Sequence, residues 1–361
     1  MMFFGTLVLL LMLVFGMPVA FALGIAGMVG LFTIGGLSMV EGVLRTVSLA
    51  TTSSYELLTI PMFILMAEFI IVSRIADELF DCAKTWIGRT PAGLAISTAI
   101  AGAGFGAISG SSTASAATLS ATTIPAMLRN GYNPRFASGV VAISGPLAML
   151  IPPSIALILY GLIADISIGM LLIAGIIPGI LVTCVIILTS LLLVMLFPHF
   201  APAGRAYSMV EKIQSLAVIG PMVVLISLVT GCIYLGIATP TESASLGAFG
   251  AMCIALVRGR LSFQSFYTAV RKAAATSCMI VMIIICAHIF SYYFTLTGVT
   301  QELVGVVAAL NVEAWVILSL IILLYLVLGC FMDSMSMVLL TVPAVFPLIE
   351  ANGIDPIWFG I

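Results

Sequence analysis

The stretch Gly102-Ala-Gly-Phe-Gly-Ala-Ile-Ser-Gly-Ser-Ser-Thr-Ala-Ser115 decides how this chain can fold. It lies in the middle of an apolar segment, yet its glycines and its run of hydroxyls make a poor continuous helix. Within a membrane, unwound backbone is tolerated only where protein or a water-filled cavity satisfies its amides and carbonyls. The stretch therefore predicts a re-entrant helical hairpin with its tip at Ser109–Ser112. Close packing of small residues between helices is the alternative, because Gly102, Gly106 and Gly110 have G-x-x-x-G spacing.

The composition shows that this segment lies in a membrane protein. Of the 361 residues, 62% are hydrophobic and 7% are charged, whereas soluble domains carry about 25% charged residues. Apolar runs such as 168–197 and 274–296 exceed the roughly 18 to 20 residues that cross a bilayer as a helix. The first run has no basic start and no cleavage motif, so we expect it to stay as a membrane segment. The fold class predicted is an all-α polytopic membrane protein.

The sequence also repeats itself at an offset of 222 residues, which brings Pro18 onto Pro240 and Ser112 onto Ser334. The hydropathy profile follows the same register. Internal repeats of this kind are common in secondary transporters. The first repeat, 1–197, is interpreted as scaffold spans 2–73, an arm 74–90, a re-entrant hairpin 91–128, a broken span 136–163 and a span 167–197. A linker, 198–214, leads to the second repeat, 215–361, with scaffold spans 215–296, an arm 298–311 and a re-entrant hairpin 312–350.

Within the scaffold spans, the amphipathic stretches 36–55 and 258–273 precede the clear spans 57–73 and 274–296. If each proline-interrupted run before them is one bent span, the twelve Lys and Arg split seven to five across the membrane. If each run turns back near Pro18 or Pro240, eleven share one side and only Arg45 is opposite. Basic residues collect on the cytoplasmic side, which favours the turn. The repeats are then inverted, and the N-terminus is predicted to be periplasmic.

Two further features place polar groups at membrane depth. The second hairpin carries Asp333 inside an apolar run, where an ionisable group usually serves a function, although a structural ion pair is the alternative. The span after the first hairpin is interrupted by Ser144-Gly145-Pro146 and Ile151-Pro152-Pro153-Ser154, and proline leaves carbonyls without donors. A hairpin tip facing a broken helix is typical of cation and substrate sites in transporters. Its oxygens could bind Na⁺, and its half-helix N-terminus an anion.

Other parts of the sequence narrow the function. Glu242, within Ala238-Thr-Pro-Thr-Glu-Ser-Ala244, would face either the opposite repeat or the outer interface. The sequence has no Walker A motif, no H-E-x-x-H and no Cys/His cluster with metal spacing. No Lys or Arg lies within an apolar span, so helix N-termini, hydroxyls and bound cations would hold an anionic substrate. We therefore predict a secondary transporter, not an enzyme, with no cofactor. A channel and an assembly scaffold without transport remain the alternatives.

Motifs along the whole chain favour one family. They are Gly106–Ser115, Ile124–Tyr132, Ile151–Ser154, Ala174–Gly179 and Gly236–Glu242. Together they resemble the large membrane subunit of the tripartite ATP-independent periplasmic (TRAP) transporters of bacteria. The resemblance implies an elevator-type, ion-transporter-like fold that imports a small organic acid (carboxylate) across the inner membrane with Na⁺ as coupling ion. It also implies two partners: a four-helix, Q-type small membrane subunit and a periplasmic substrate-binding protein.

The resemblance implies site residues as well. The Na⁺ sites would be formed by Ser109, Ser112, Gly145 and Pro152 in the first repeat, and by Gly329, Asp333 and Ser334 in the second. The positions expected to face the substrate are Gly110, Ser111, Thr113, Ser154, Thr239, Glu242 and Ser336. Family members end with a second Pro-Pro helix, which the 222-residue offset would place at 152 + 222 = 374, beyond Ile361. We therefore expect a C-terminally truncated chain with an incomplete second Na⁺ site.

Overall fold

The computed structural model describes residues 4–202, 204, 207–298, 305, 313–330 and 332–361. Every regular element in these ranges is helical. In the first half the α-helices are α1 Phe4–Val14, α2 Val19–Thr52, α3 Thr59–Ser73, α4 Ile75–Ile87, α5 Gly93–Ser109, α6 Ser112–Arg129, α7 Pro134–Ser144, α8 Leu147–Leu150, α9 Ile155–Ala164, α10 Ile168–Ala174 and α11 Ile176–Leu196. After them come α12 Met209–Tyr234, α13 Pro240–Val257, α14 Phe263–Thr297, α15 Ala314–Leu328, α16 Ser334–Ala351 and α17 Pro356–Gly360. Short 3₁₀ helices lie at Tyr55–Leu58 and Pro198–Phe200.

Seven helical stretches among the described residues are long and apolar enough to cross a membrane. An eighth is counted if the pair Pro134–Leu150 and Ile155–Ala164, bent by 44°, forms one span. α1, α5 and α15 are shorter apolar helices. The chain is thus a multi-pass membrane protein, as the composition predicted.

Some helix ends differ from those expected from the sequence. The linker was expected to extend to residue 214, but α12 already begins at Met209, because Ser208 and Glu211 form a reciprocal capping box. The amphipathic stretch 258–273 and the span 274–296 were expected as separate segments. Instead, one helix of 35 residues runs from Phe263 to Thr297. It contains no glycine or proline that would interrupt it.

The long helix α2 has non-helical backbone angles at one internal residue. α2 is interrupted at Gly36, whose backbone angles are φ 68° and ψ −161°. A positive φ of this kind is accessible mainly to glycine. Gly36 thus separates the apolar part of α2 from the part that follows. The arm expected at 298–311 lies outside the described residues, apart from Gly298 and Gly305.

The helices group into two compact units. The first comprises Met1–Leu57, Leu159–Ser167 and Thr276–Gly360, and the second comprises Leu58–Ile158 and Ile168–Ala275. Neither unit coincides with a sequence repeat, because each contains helices from both.

In the first unit, α2 packs against α14 through small residues. A Cβ atom on Gly27 would lie 3.0 Å from the backbone of Phe290, and one on Gly30 would lie 2.5 Å from the ring of Tyr293. Tyr293 is fully buried, and its hydroxyl oxygen accepts a hydrogen bond of 3.2 Å from the Gly5 N–H of α1. Small residues that bring helix backbones together are the usual means of packing helices in a membrane.

In the second unit, α3 packs against α13 in a similar way. One face of α13 is buried and consists of small residues: Thr241, Ala244, Ala248, Ala251 and Ala255. The hydroxyl oxygens of Thr59 and Thr241 lie 2.6 Å apart across this contact. The spacing of three or four residues places all of these side chains on one side of the helix.

The 222-residue offset relates these two helix pairs. It brings the part of α2 before Gly36 onto α13, and α3 onto the second half of α14. The first-repeat helix α2 packs against the second-repeat helix α14, and the second-repeat helix α13 packs against the first-repeat helix α3. Each of the two pairs thus combines one helix from each repeat. The predicted fold class is confirmed: an all-α membrane protein with an inverted repeat, two helical hairpins and a broken span.

Candidate functional site

The first hairpin turns at Gly110 and Ser111. α5 ends with Gly110 in the left-handed conformation (φ 57°), and its N–H donates to the Gly106 carbonyl at 3.0 Å. Ser111 is the N-cap of α6, and its hydroxyl oxygen accepts from the Ala114 N–H at 3.5 Å. Glycine after a helix and serine before the next are the residues that these positions favour. The Gly-Ser sequence thus reverses the chain without leaving the ends of either helix uncapped.

The hydroxyl groups of the tip form two close pairs. Ser109 and Ser115 are both buried, and their hydroxyl oxygens lie 2.9 Å apart. The hydroxyl oxygens of Ser111 and Thr113 lie 3.1 Å apart. Ser112 is half-buried, and among the described residues its hydroxyl has no hydrogen-bond partner. The tip therefore presents several oxygen atoms in a small region.

The broken span lies between α7 and α9. α7 ends at Ser144, and α9 begins at Ile155, with only the four-residue α8 between them. The peptide bond between Pro152 and Pro153 is cis. Ser154 is fully buried, accepts from the Leu157 N–H at 3.4 Å and donates to a carbonyl in α8. The structure thus gives Ser154 the role of cap of α9; facing the substrate stays a prediction for this residue.

The break also leaves backbone acceptors without donors. In the described ranges, no hydrogen bond reaches the carbonyl oxygens of Ile151, Pro152 or Pro153. All three residues are buried or partly buried. Buried carbonyls are costly to leave unpaired. Oxygens of this kind are suited to a hard cation.

The tip of the first hairpin lies directly against this break. A Cβ atom on Gly110 would be 3.0 Å from the carbonyl oxygen of Pro153 and 3.0 Å from the backbone nitrogen of Ile155. A Cβ atom on Gly145 would be 2.8 Å from the Cβ of Ala116, in the first turns of α6. The glycines therefore allow the two interrupted elements to touch. Ser109, Ser112, Gly145 and Pro152, the residues predicted for the first Na⁺ site, all belong to the same compact unit.

The second hairpin has a different tip. α15 ends at Gly329, and Asp333 is the N-cap of α16, with its carboxylate accepting from the Met335 N–H at 3.2 Å. Ser334 is the first residue of α16, and Ser336 follows in the same turn. Gly329 and Asp333 are exposed, whereas both serines are half-buried. The structure thus gives Asp333 a capping role, and within the described ranges Asp333 forms no salt bridge.

The two arms of this hairpin are held together by an apolar cluster and a hydrogen bond. Ile317 and Ile321 of α15 pack with Val345 and Ile349 of α16. The Thr341 hydroxyl lies 2.9 Å from the Tyr325 hydroxyl. This hairpin belongs to the first compact unit, whereas the α5–α6 hairpin belongs to the second.

Thr239 and Glu242 form a capping box at the start of α13. The Glu242 carboxylate accepts from the Thr239 N–H at 2.8 Å and from its hydroxyl at 2.9 Å, through the same oxygen atom, Oε2. Both residues are exposed. The T-x-x-E spacing is a known signal of helix initiation, so the sequence alone contains enough information to predict this role. Among the described residues, the other carboxylate oxygen, Oε1, accepts no hydrogen bond.

Sequence reasoning missed two contributions to the first tip. Ser115 pairs with Ser109, although only the residues nearer the turn were singled out. The carbonyls of Ile151 and Pro153 accompany that of Pro152 in the break. Both could have been anticipated: Ser115 is one helical turn beyond Ser111, and each proline removes one donor.

Comparison with known proteins agrees with this architecture. The family described as "Tripartite ATP-independent periplasmic transporter, DctM component" matches residues 6–361. The isethionate TRAP transporter permease protein DctMQ of Oleidesulfovibrio alaskensis is 32% identical over 97% of the chain, which spans only 55% of that relative. The C4-dicarboxylate TRAP transporter large permease protein DctM of Rhodobacter capsulatus is 31% identical over 99% of the chain and 83% of its own length.

A solved structure shares the fold. The YdaH transporter of Alcanivorax borkumensis, whose crystal structure is described as revealing an unusual topology, aligns with a TM-score of 0.64. The alignment covers 90% of this chain and 75% of that one, at 16% sequence identity. Likeness at this identity concerns the fold alone, whereas the sequence matches concern the family. Because its sequence matches that family over nearly its whole length, this chain belongs to the DctM component family of the tripartite ATP-independent periplasmic transporters.

Proposed function

We propose that this chain is the solute-translocating subunit of a secondary active importer that couples the uptake of a small organic acid to Na⁺. The observation that carries the proposal is the α5–α6 tip lying against the break between α8 and α9. Hydroxyl and carbonyl oxygens gather there, in a chain that belongs to a transporter family. Half-helix ends and unwound carbonyls at such a junction are what ion-coupled transporters use to bind their ions and substrates.

The first Na⁺ site would be formed by the tip and the break together. Ser109 and Ser112 would contribute hydroxyl or carbonyl oxygens, and Gly145 and Pro152 backbone carbonyls. The close approach of Gly110 to Pro153 supports this assignment. The described residues contain no group of three or more His, Cys, Asp or Glu side chains suited to a metal ion. A site here would therefore depend on neutral oxygens, which suit a monovalent hard cation.

The second Na⁺ site would be formed around Gly329, Asp333 and Ser334. Asp333 would supply a full negative charge as well as its cap to α16. The inverted repeat supports the assignment, because Ser334 corresponds to Ser112 at the 222-residue offset. A site of this kind would be more sensitive to loss of charge than the first one.

The substrate would be a small organic anion. Gly110, Ser111 and Thr113 lie at the N-terminus of α6, where free N–H groups and the helix dipole favour negative charge. Ser154, Thr239, Glu242 and Ser336 complete the set that we propose to face the substrate. The names of two relatives mention isethionate and C4-dicarboxylate. One of these is a sulfonate and the other a dicarboxylate, so the shared feature is an acidic group on a small molecule.

Transport would occur by an elevator movement with two partner proteins. A four-helix, Q-type membrane subunit would bind the scaffold spans, and a periplasmic protein would deliver the solute. The family's description as a tripartite periplasmic transporter supports the need for partners. The protein would lie in the bacterial inner membrane with its N-terminus in the periplasm.

Uptake into proteoliposomes tests the proposal. The complete large permease is reconstituted with a small membrane subunit and a periplasmic binding protein, and uptake of a labelled organic acid is followed with and without an inward Na⁺ gradient. We expect uptake that saturates and that requires the Na⁺ gradient. Uptake at the same rate with and without the Na⁺ gradient would contradict the proposal of Na⁺ coupling. Flux that does not saturate would favour a channel, and the absence of any uptake would favour a scaffold.

A further inference from the structure

A cavity lies away from the hairpin tips, in the same compact unit as α5 and α6. It is a groove of about 420 Å³ between α7 and α11. Phe136, Gly139 and Ile143 line one wall, and Val185 and Leu193 line the other. The spacing of these positions places each set on one helix face. The groove is mainly apolar, and the exposed side chains of Ile143 and Val185 lie at its margin.

One end of the groove has the signature of a membrane–water interface. Arg135 lines it, is exposed and forms no ion pair with any described residue. Phe200, from the short 3₁₀ helix after α11, closes the same end and stacks on Phe136 with ring centroids 5.7 Å apart. The Asn133 N–H fixes this helix by donating to the Phe200 carbonyl at 3.0 Å. Arginine side chains near the ends of membrane spans extend to the level of the lipid headgroups.

The groove also contains polar groups that have no partner. Ser190 is only 3% exposed, and Thr189 lies beside it on α11. In the described part of the chain neither hydroxyl takes part in a hydrogen bond, although serine and threonine in helices commonly donate to the preceding turn. The Thr189 side chain is exposed, and the Ser190 hydroxyl reaches the surface of the groove. A hydroxyl in apolar surroundings is costly without a partner, so within a membrane both favour a ligand with hydrogen-bond acceptors below its charged group.

We propose that the groove binds one anionic phospholipid. Its phosphate would lie against Arg135, its ester carbonyls would accept from Thr189 and Ser190, and one acyl chain would fill the apolar part. Ile143 lies eight positions after Arg135 in α7, so this part of the groove is about 12 Å long at 1.5 Å per residue. This length accommodates a headgroup region and part of a chain. Basic pockets between membrane helices are known to select anionic headgroups.

Charge complementarity favours this occupant over a zwitterionic lipid or a protein helix. Arg129, at the end of α6, is a second exposed cation on the predicted cytoplasmic face, and its Nε donates only to the Pro125 carbonyl. None of the residues that line the groove is acidic. A zwitterionic headgroup would bring its own cation close to Arg135. A protein helix would leave the hydroxyls of Thr189 and Ser190 facing apolar side chains.

Native mass spectrometry of the purified protein tests the proposal. The wild type is delipidated, exposed to an equimolar mixture of phosphatidylglycerol and phosphatidylcholine, and the bound adducts are counted. We expect one retained phosphatidylglycerol. Arg135→Gln should lower its retention about fivefold, the effect of one basic side chain near an anionic surface, and leave retention of phosphatidylcholine unchanged. Gly139→Phe should abolish binding of both lipids, because a Cβ there meets no atom within 4 Å and the ring would fill the groove.

Matched controls separate this site from general effects. Arg260→Gln removes another exposed cation, and Gly220→Phe adds the same ring at another glycine with no neighbour within 4 Å. Both should retain the wild-type adduct. Val185→Phe fills the groove from the opposite wall. It replaces Gly139→Phe as the groove-filling variant if Gly139→Phe does not fold. Equal retention by wild type, Arg135→Gln and both groove-filling variants would overturn the proposal, as would a wild type that binds neither lipid.

Discussion

Gly110 combines an unusual backbone angle with a close contact. Its φ is 57°, and a Cβ atom would lie 3.0 Å from the Pro153 carbonyl oxygen. The left-handed conformation alone costs an ordinary residue about 1 to 2 kcal/mol. For Gly110→Ala we expect this loss of stability and, because the tip must also move from the break, loss of Na⁺-dependent uptake. Thermal unfolding in detergent and proteoliposome uptake measure the two effects.

Gly131→Ala is the matched control for this variant. Gly131 has a φ of 79°, but the nearest atom to an added Cβ is a Pro202 carbon at 3.6 Å. It should show a similar loss of stability from the backbone angle, with uptake preserved. Equal loss of uptake in both variants would show that the contact with the break is unimportant.

Asp333 caps α16 and also carries a negative charge. A substitution can remove the charge and keep the cap. Asparagine caps helices about as well as aspartate, so Asp333→Asn should keep the hydrogen bond to the Met335 N–H. We expect stability to change by less than about 0.5 kcal/mol and transport to fall sharply. Ser112→Ala should also impair transport. Glu68→Gln should not, because Glu68 lies in α3, outside the residues proposed for the ion and substrate sites. Initial rates of uptake at several Na⁺ concentrations provide the comparison, and similar rates in all three would contradict the site assignment.

Glu242 allows the same kind of separation. Glutamine can also form a capping box, so Glu242→Gln should leave thermal unfolding unchanged. If Oε1 accepts a hydrogen bond from a hydroxyl group of the substrate, uptake should nevertheless decline, because a carboxylate is a stronger acceptor than an amide oxygen. Thr239→Ala should lower stability by about 1 kcal/mol, because the cap is lost. Unchanged uptake in Glu242→Gln would assign this residue to capping alone.

At the scale of elements, the break between α8 and α9 depends on its prolines. An N–H at residue 153 could donate to the Met149 carbonyl, which at present accepts from the Ser154 hydroxyl. Pro153→Ala should therefore favour a continuous helix and turn the free carbonyls into helical acceptors. We expect the Na⁺ concentration for half-maximal uptake to rise about tenfold, an effect typical of altered support around a bound ion. Sodium titration of uptake measures it.

Pro221→Ala controls for the removal of a proline as such. Pro221 lies inside α12, which continues through it without a break. Its replacement should leave the Na⁺ dependence unchanged. A similar shift in both variants would show that the break has no special part in binding.

The elements differ in how far the sequence determines them. The turn at Gly110 and Ser111 was predictable because glycine and serine act locally, through φ and through capping. The sequence reasoning did not predict that 258–273 and 274–296 share one helix, because it treated the amphipathic and the apolar stretch as separate segments. The stretch Phe263–Thr297 contains no glycine or proline that would end a helix between them. The sequence predicted that the hairpin tip would face the broken span. The contact of Gly110 with Pro153 was not predictable, because it depends on tertiary packing.

At the scale of the whole molecule, the distribution of Lys and Arg predicts which side of the membrane each loop faces. Cysteine substitutions at two comparable glycines test this prediction. Gly236 and Gly259 both have positive φ, and neither has an atom within 4 Å of an added Cβ. They flank opposite ends of α13. In a cysteine-free background, Gly236→Cys should react with an impermeant thiol reagent in intact cells. Gly259→Cys should react only after permeabilisation, and the reverse pattern would invert the topology.

The repeat was visible in the sequence, but the pairing of α2 with α14 and of α3 with α13 was not. The matching positions are mostly glycine and proline, which report backbone shape. They say nothing about which helix packs against which, because that depends on small residues such as Gly27 and Ala248, whose partners are distant in sequence. The inverted orientation is predicted from the distribution of Lys and Arg, whereas the reciprocal contacts could be seen only in the structure.

The unbroken helix α14 makes the protein sensitive to the thickness of its bilayer. Arg271 and Lys272 are exposed in its first third, and the 25 residues from Ala273 to Thr297 rise about 38 Å at 1.5 Å per residue. The hydrocarbon core of a bilayer is about 30 Å thick. A helix without glycine or proline cannot shorten by kinking, so it must tilt or deform the surrounding lipid. The acyl-chain length of the host membrane thus sets the resting inclination of this helix.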